Sequence, residues 1–212
     1  MARFSRHILR IGVTGGIGSG KSTACHILKK HGIPVISADE IAKQIADSRP
    51  IVRKQIIGVL GPKAYDVRGR LNRSYVASRL FGNKRIQRSI NAVLHPRVLI
   101  EIRRRFRSHE KTGHRAVVVE AALIFEAGME ELLDLVIVVE TKQRTAIQRV
   151  QKRDTMSRAA VRRRIASQWS VTRKREKADI VLRNDGTVAD LRKKIQFLLE
   201  MVRLIRKGRP NA

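Results

Sequence analysis

Short apolar runs recur along the chain, at residues 8–14, 34–37, 116–121, 135–140 and 180–182, and amphipathic stretches separate them. Val117-Val118-Val119 and Val136-Ile137-Val138-Val139 are continuously hydrophobic rather than alternating, which is the pattern of strands covered on both faces. A helical pattern over 21–31 ends at Gly32, a fitting C-terminal cap. The last helix is predicted to start at Thr187, with Asp190 as its capping partner. Its apolar stripe is Val188, Leu191, Ile195, Leu198, Leu199, Val202 and Ile205. Strand–helix alternation predicts an α/β fold, a parallel five-stranded sheet with right-handed crossovers. Residues 49–115 exceed a simple crossover and read as a helical insertion; the basic helical stretch 145–175 reads as a lid. The core is then 1–48, 116–144 and 176–212. Within the lid, Val161, Ile165 and Trp169 recur at i, i+4 and i+8 and predict one apolar helix face.

The first run leads straight into Gly15-Gly16-Ile17-Gly18-Ser19-Gly20-Lys21-Ser22-Thr23, a complete G-x-x-x-x-G-K-[ST] between a strand and a helix. Glycines allow positive φ angles, so successive backbone N–H groups converge on a phosphate. The helix adds the positive end of its dipole at the same point. The loop predicts binding of a nucleoside triphosphate, with Lys21 on the β- and γ-phosphates and Ser22 on Mg²⁺. It is silent about the acceptor.

Other positions bear on that acceptor and on the transfer. Asp39 follows the second run and opens a helical pattern. It is either a general base at the ligand-binding edge of the sheet or a helix N-cap. Glu120 ends the third run and is either an acid near Mg²⁺ and its waters or a solvated strand-end carboxylate. His95-Pro96 stands out in an apolar and basic helical region, whereas His7, His26, His31, His109 and His114 show no metal-ligand spacing. Arg149 and Arg153, spaced i, i+4, are the arginines expected to neutralise a transferring phosphoryl group.

Charge adds a rival. Lys and Arg number 46 against 18 Asp and Glu, a formal +28, which favours anionic partners. Residues 49–115 hold 18 of the cations and 142–177 hold 13, while 116–141 hold none. A nucleic-acid-binding ATPase would suit that balance, but aromatics are only 4% and no nucleic-acid-binding motif is present. At 42% hydrophobic residues the chain is no disordered basic tail. No run reaches the ~18 apolar residues of a membrane span, and no signal-peptide pattern precedes the glycines. Cys25 is the lone cysteine and rules out an intramolecular disulfide. No Asn-Lys-x-Asp guanine-reading element occurs, which argues against a GTPase. These readings predict a cytoplasmic protein.

An ordered set of motifs runs from the loop at Thr14 through Ala38-Asp39, Gly69-Arg70-Leu71-Asn72-Arg73, Phe81 and Leu94-His95-Pro96. It continues with Leu123-Ile124-Phe125-Glu126, Arg149 to Asp154, Arg164 with Gln168, Ala178-Asp179 and Asn184-Asp185-Gly186. Together these resemble the dephospho-coenzyme A kinase family. The resemblance implies a P-loop NTPase-type core with a helical coenzyme-A-binding domain and a lid. It also implies phosphorylation of the ribose 3′-hydroxyl of dephospho-CoA with ATP and Mg²⁺. It makes Asp39 and Lys21 catalytic, and Gly15, Gly16, Gly18, Ser19, Gly20, Lys21, Ser22, Thr23, Arg149 and Arg153 ATP-binding. Arg73, His95, Glu120 and Phe125 fall among its substrate-binding positions, and Ser22 is its metal ligand. The other small-molecule P-loop kinases, such as those acting on nucleoside monophosphates, are the nearest alternative. Expected partners are the two small-molecule substrates, with no specific nucleic acid or membrane, in a monomer or weak homo-oligomer. The chain departs from the family pattern at Ser37, Ala122 and Arg183, where Asp, Pro and an acid are common.

Overall fold

The structure, a computed structural model, describes residues 8–154 and 157–207, with side chains as far as 201. His7 and the side chains of Val202 and Ile205 lie outside the described residues. Two compact units are formed, Met1–Ile36 with Phe106–Ala212, and Ser37–Arg105.

The first unit is built on a five-stranded parallel sheet of β1 (Leu9–Thr14), β2 (Val35–Ser37), β3 (Ala116–Glu120), β4 (Leu135–Glu140) and β5 (Ile180–Arg183). Its order is β2-β3-β1-β4-β5. Every predicted strand is present, most of them shifted at an end. β5 runs one residue further than expected because Arg183 pairs in register with Glu140. Val117, Val118, Val119 and Val138 are wholly buried, as their unbroken apolar runs require. Helices α1 (Lys21–Lys30) and α9 (Val188–Lys207) bring Ile27, Leu28, Leu191, Ile195 and Leu198 into one core cluster with Ile11, Val13, Val118 and Ile137 of the sheet. Gly32 just past α1 has φ +79, as a left-handed helix end needs. α9 begins with a capping box: the Asp190 N–H donates to Thr187 Oγ1, and the Thr187 N–H donates to the Asp190 carboxylate. α6 (Gln143–Asp154), α7 (Arg158–Ala166) and α8 (Val171–Glu176) complete this unit. The predicted lid stripe is corrected here. Val161 and Ile165 do pack with Ile147, Val150 and Ile17 of the glycine loop, but α7 ends at Ala166 and leaves Trp169 outside the helix.

The second unit contains α2 (Ala38–Ser48), α3 (Pro50–Leu60), α4 (Arg73–Leu80) and most of α5 (Lys84–Lys111), around buried Ile41, Ile45, Val52, Ile56 and Val76. Two tyrosines tie it together, Tyr65 donating to the Ala46 carbonyl and Tyr75 to that of Leu60, each at 2.9 Å. On α5, Glu101 accepts from Arg104 and Arg105, and Arg105 also donates to Gln44. The Arg104 guanidinium, seconded by Arg105, holds the Glu101 carboxyl down at about 2. Since the folded value lies below the ordinary 4.5, its stabilising contribution is complete above 4.5 and is lost as the pH falls through about 2. In acid-unfolding curves, the stability deficit of Glu101→Gln should therefore shrink below pH 4.5. A deficit that stays constant down to pH 2 would contradict the coupling.

Among the described residues, no helix is long and apolar enough to cross a membrane.

Candidate functional site

The turn between β1 and α1 has little room for side chains. Gly15 has φ +148, and a Cβ there would lie 2.1 Å from the Val139 carbonyl oxygen. Gly20 has φ +93, and a Cβ there would lie 2.2 Å from Asn184 Nδ2. Gly20 is also the N-cap of α1, where no side chain occupies the first N–H groups. Those N–H groups therefore face outward with the helix dipole behind them, the arrangement that binds a phosphate. Ser19 is buried in the same loop, and its hydroxyl has no protein partner. Lys21 Nζ folds back to donate to the Gly16 carbonyl at 3.1 Å.

Neighbouring strands supply the loop's support. The β1–β3 register sets Val13 against Glu120, which puts that carboxylate at the strand edge beside the loop. The Ser22 hydroxyl donates to Glu120 Oε1 at 2.6 Å, so Glu120 is not a detached solvated acid. Cys25, one turn along α1, is buried; burial first, and then the Glu120 carboxylate, push its thiol upward and keep it protonated. A hydroxyl and a carboxylate, both hard oxygen donors, are the set that suits Mg²⁺ shared with substrate phosphates. Among the described residues no cluster of three or more His, Cys, Asp or Glu could hold a metal on its own.

On the other side of the loop, Asn184 Nδ2 donates to the Ser19 carbonyl at 2.8 Å in a buried position. Arg149 then donates to the carbonyls of Asn184 and Gly186, at 3.0 and 3.1 Å. Its guanidinium lies within 4.0 Å of the position a Gly20 Cβ would take. Arg153 is exposed and donates from two nitrogens to Asp154. Phe125 is buried and stacks on Trp169 with ring centroids 6.3 Å apart, and the Arg173 guanidinium lies 3.4 Å from the Trp169 centroid. Arg183, one of the departures, forms an ion pair with Glu140.

In the second unit, the N-cap of α2 is Ser37, whose hydroxyl accepts from the Glu40 N–H. The N-cap reading of Asp39 is therefore corrected: Asp39 lies inside the first turn, exposed, with no capping role. Arg73 opens α4 after its cap Asn72, and its charge is among those that draw the Glu40 carboxyl down, behind the dominant hydrogen bond from Lys43. His95 is half-buried in the middle of α5, immediately before Pro96. The structure thus gathers Lys21, Ser22, Glu120 and Arg149 in the first unit, and Asp39, Arg73 and His95 in the second.

A sequence model of dephospho-CoA kinases matches residues 9–190. The chain belongs to the dephospho-CoA kinase family. A relative of that name from Salinibacter ruber is 40% identical over 184 residues, covering 87% of this chain and 92% of its own. Another, from Bacillus cereus, is 35% identical over 195 residues, covering 92% and 98%. The solved dephospho-CoA kinase from Campylobacter jejuni superposes with a TM-score of 0.68 at 28% identity, covering 91% and 96%. The dephospho-CoA kinase match takes in every candidate residue of both units. Asn184 was legible only as part of Asn184-Asp185-Gly186; its contact with the loop emerges from β5 lying beside β4, which no local pattern encodes.

Proposed function

We propose that this chain transfers the γ-phosphoryl group of ATP to the ribose 3′-hydroxyl of dephospho-CoA, yielding coenzyme A and ADP, the last step of coenzyme A synthesis. The observation that carries the reading is the intact glycine loop on its strand and helix, inside a family match spanning residues 9–190.

In this mechanism the loop amides from Gly15 to Gly20 and the Ser19 hydroxyl cradle the triphosphate. Lys21 swings from the Gly16 carbonyl onto the β- and γ-phosphates. Ser22, with Glu120 behind it, would hold Mg²⁺, which when bound neutralises phosphate charge. Asp39 orients the 3′-hydroxyl and accepts its proton as the oxygen attacks phosphorus in line. Arg149 borders the nucleotide, Arg153 leaves Asp154 to meet the transferring group, and Arg73, His95 and Phe125 contact the acceptor. The helical insertion at about 49–115 serves as the acceptor-binding region and 145–175 as the lid. We place the reaction in the cytoplasm.

Steady-state rates with ATP and a panel of acceptors test the reading. Dephospho-CoA should be preferred over each nucleoside monophosphate. A preference for a nucleoside monophosphate would move the chain to the neighbouring class of P-loop kinases.

A further inference from the structure

Lys174 is buried to 0% exposure in the first unit. Lysine is almost never found fully buried unless paired. Its ammonium donates to the Ala122 carbonyl at 2.6 Å and lies 2.9 Å from Glu126 Oε1. That same carboxylate oxygen accepts the Trp169 backbone N–H at 2.9 Å, while Glu126 Oε2 is buried without a protein partner. The Ala122 carbonyl also accepts from the Thr14 hydroxyl at 3.3 Å. Thr14 is the last residue of β1, directly before Gly15. Lys174 and its two acceptors thus join three segments: Ala122 and Glu126 lie in the turn after β3 that carries Phe125, Ala122 also accepts from the strand end that launches the glycine loop, and Glu126 also accepts from the junction of α7 with α8.

That junction borders the loop. Val171 opens α8, and one of its methyls lies 3.9 Å from where a Gly16 Cβ would stand. Trp169, held by Glu126, stacks on Phe125 and carries Arg173 on its ring. A buried ion pair is weak evidence for stability, since an apolar replacement of similar volume is often neutral or better. What it does supply is direction, because an ammonium must aim its donors at fixed acceptors.

We propose that Lys174, through Glu126 and the Ala122 carbonyl, is a positioning residue for phosphoryl transfer. It pins α8 against the turn after β3 and so sets the wall of the site beside the glycine loop. Lys174 itself touches no substrate. The assignment rests on the kinase reading above and adds to it a residue outside the loop, the base and the arginines.

Two variants test it. Lys174→Met with Glu126→Gln removes both charges together, so neither is left buried alone, and its thermal midpoint should stay near that of the wild type. Its kcat should nevertheless fall about 10²-fold, the effect of a misplacement near 1 Å, with the KM values for ATP and dephospho-CoA unchanged. Glu126→Gln alone keeps an acceptor for both donors yet loosens the pin, and its kcat should fall about tenfold with the same unchanged KM values. A folded variant of either kind with wild-type kcat, or one whose loss lies wholly in KM, overturns the proposal. Wild-type protein assayed alongside separates the two failures. Absence of dephospho-CoA-dependent ADP formation there removes the kinase reading and the pin together; active wild type with fully active variants removes the pin alone.

Discussion

Asp39→Asn should lower turnover by about 10²–10⁴-fold, the range for losing a general base, and leave ATP affinity intact. Asparagine has nearly the same shape as aspartate but cannot accept the hydroxyl proton. The substitution is unusually clean in this chain because of Ser37. Ser37 caps α2, so the helix start does not depend on Asp39. Asp39 is also exposed, and a surface change of this kind usually shifts stability by no more than about 0.5 kcal/mol. A large loss of rate could then be ascribed to chemistry and not to unfolding. Stopped-flow or steady-state kinetics with saturating ATP measure it, and near-normal turnover would remove Asp39 from the role of base.

Lys21→Met should cost on the order of 10³ in kcat/KM for ATP, as expected when one preorganised charge facing the phosphates is lost. The methionine keeps the length and apolar stem of the lysine while deleting the donor that now reaches the Gly16 carbonyl. Because the loop conformation is set by Gly15, Gly20 and the Asn184–Ser19 hydrogen bond, it should survive the change. Phosphate cradling by backbone amides should therefore persist, and residual nucleotide binding should be detectable by calorimetry. Complete loss of nucleotide binding would mean that Lys21 shapes the loop, and unaltered kcat/KM would mean that it does not meet the phosphates.

The parts of this molecule that were legible in the sequence are those specified locally. Val117 to Val119 announce a doubly covered strand, Thr187 with Asp190 announces a helix start, and the glycine loop announces a phosphate site; each needs only a few consecutive residues. Trp169 shows where that logic stops. Its spacing from Val161 and Ile165 suits a helix, but Ser167 caps α7 first and Trp169 takes Phe125 and Glu126 as partners instead. Asp39 shows the same limit, since both Ser37 and Asp39 are good caps and only the backbone decides where the helix starts; it starts after Ser37, whose hydroxyl accepts the Glu40 N–H. Partners more than forty residues away, such as Lys174 for Ala122 or Asn184 for Ser19, come from sheet order and cannot be read from spacing.

The most direct test of the central claim is to identify the product formed from dephospho-CoA and ATP by purified protein. Mass spectrometry with ³¹P NMR should find coenzyme A carrying a new ribose 3′-phosphate, with one ADP formed for each. ATP consumption without a phosphorylated product, or a phosphate placed elsewhere on the acceptor, would contradict the account.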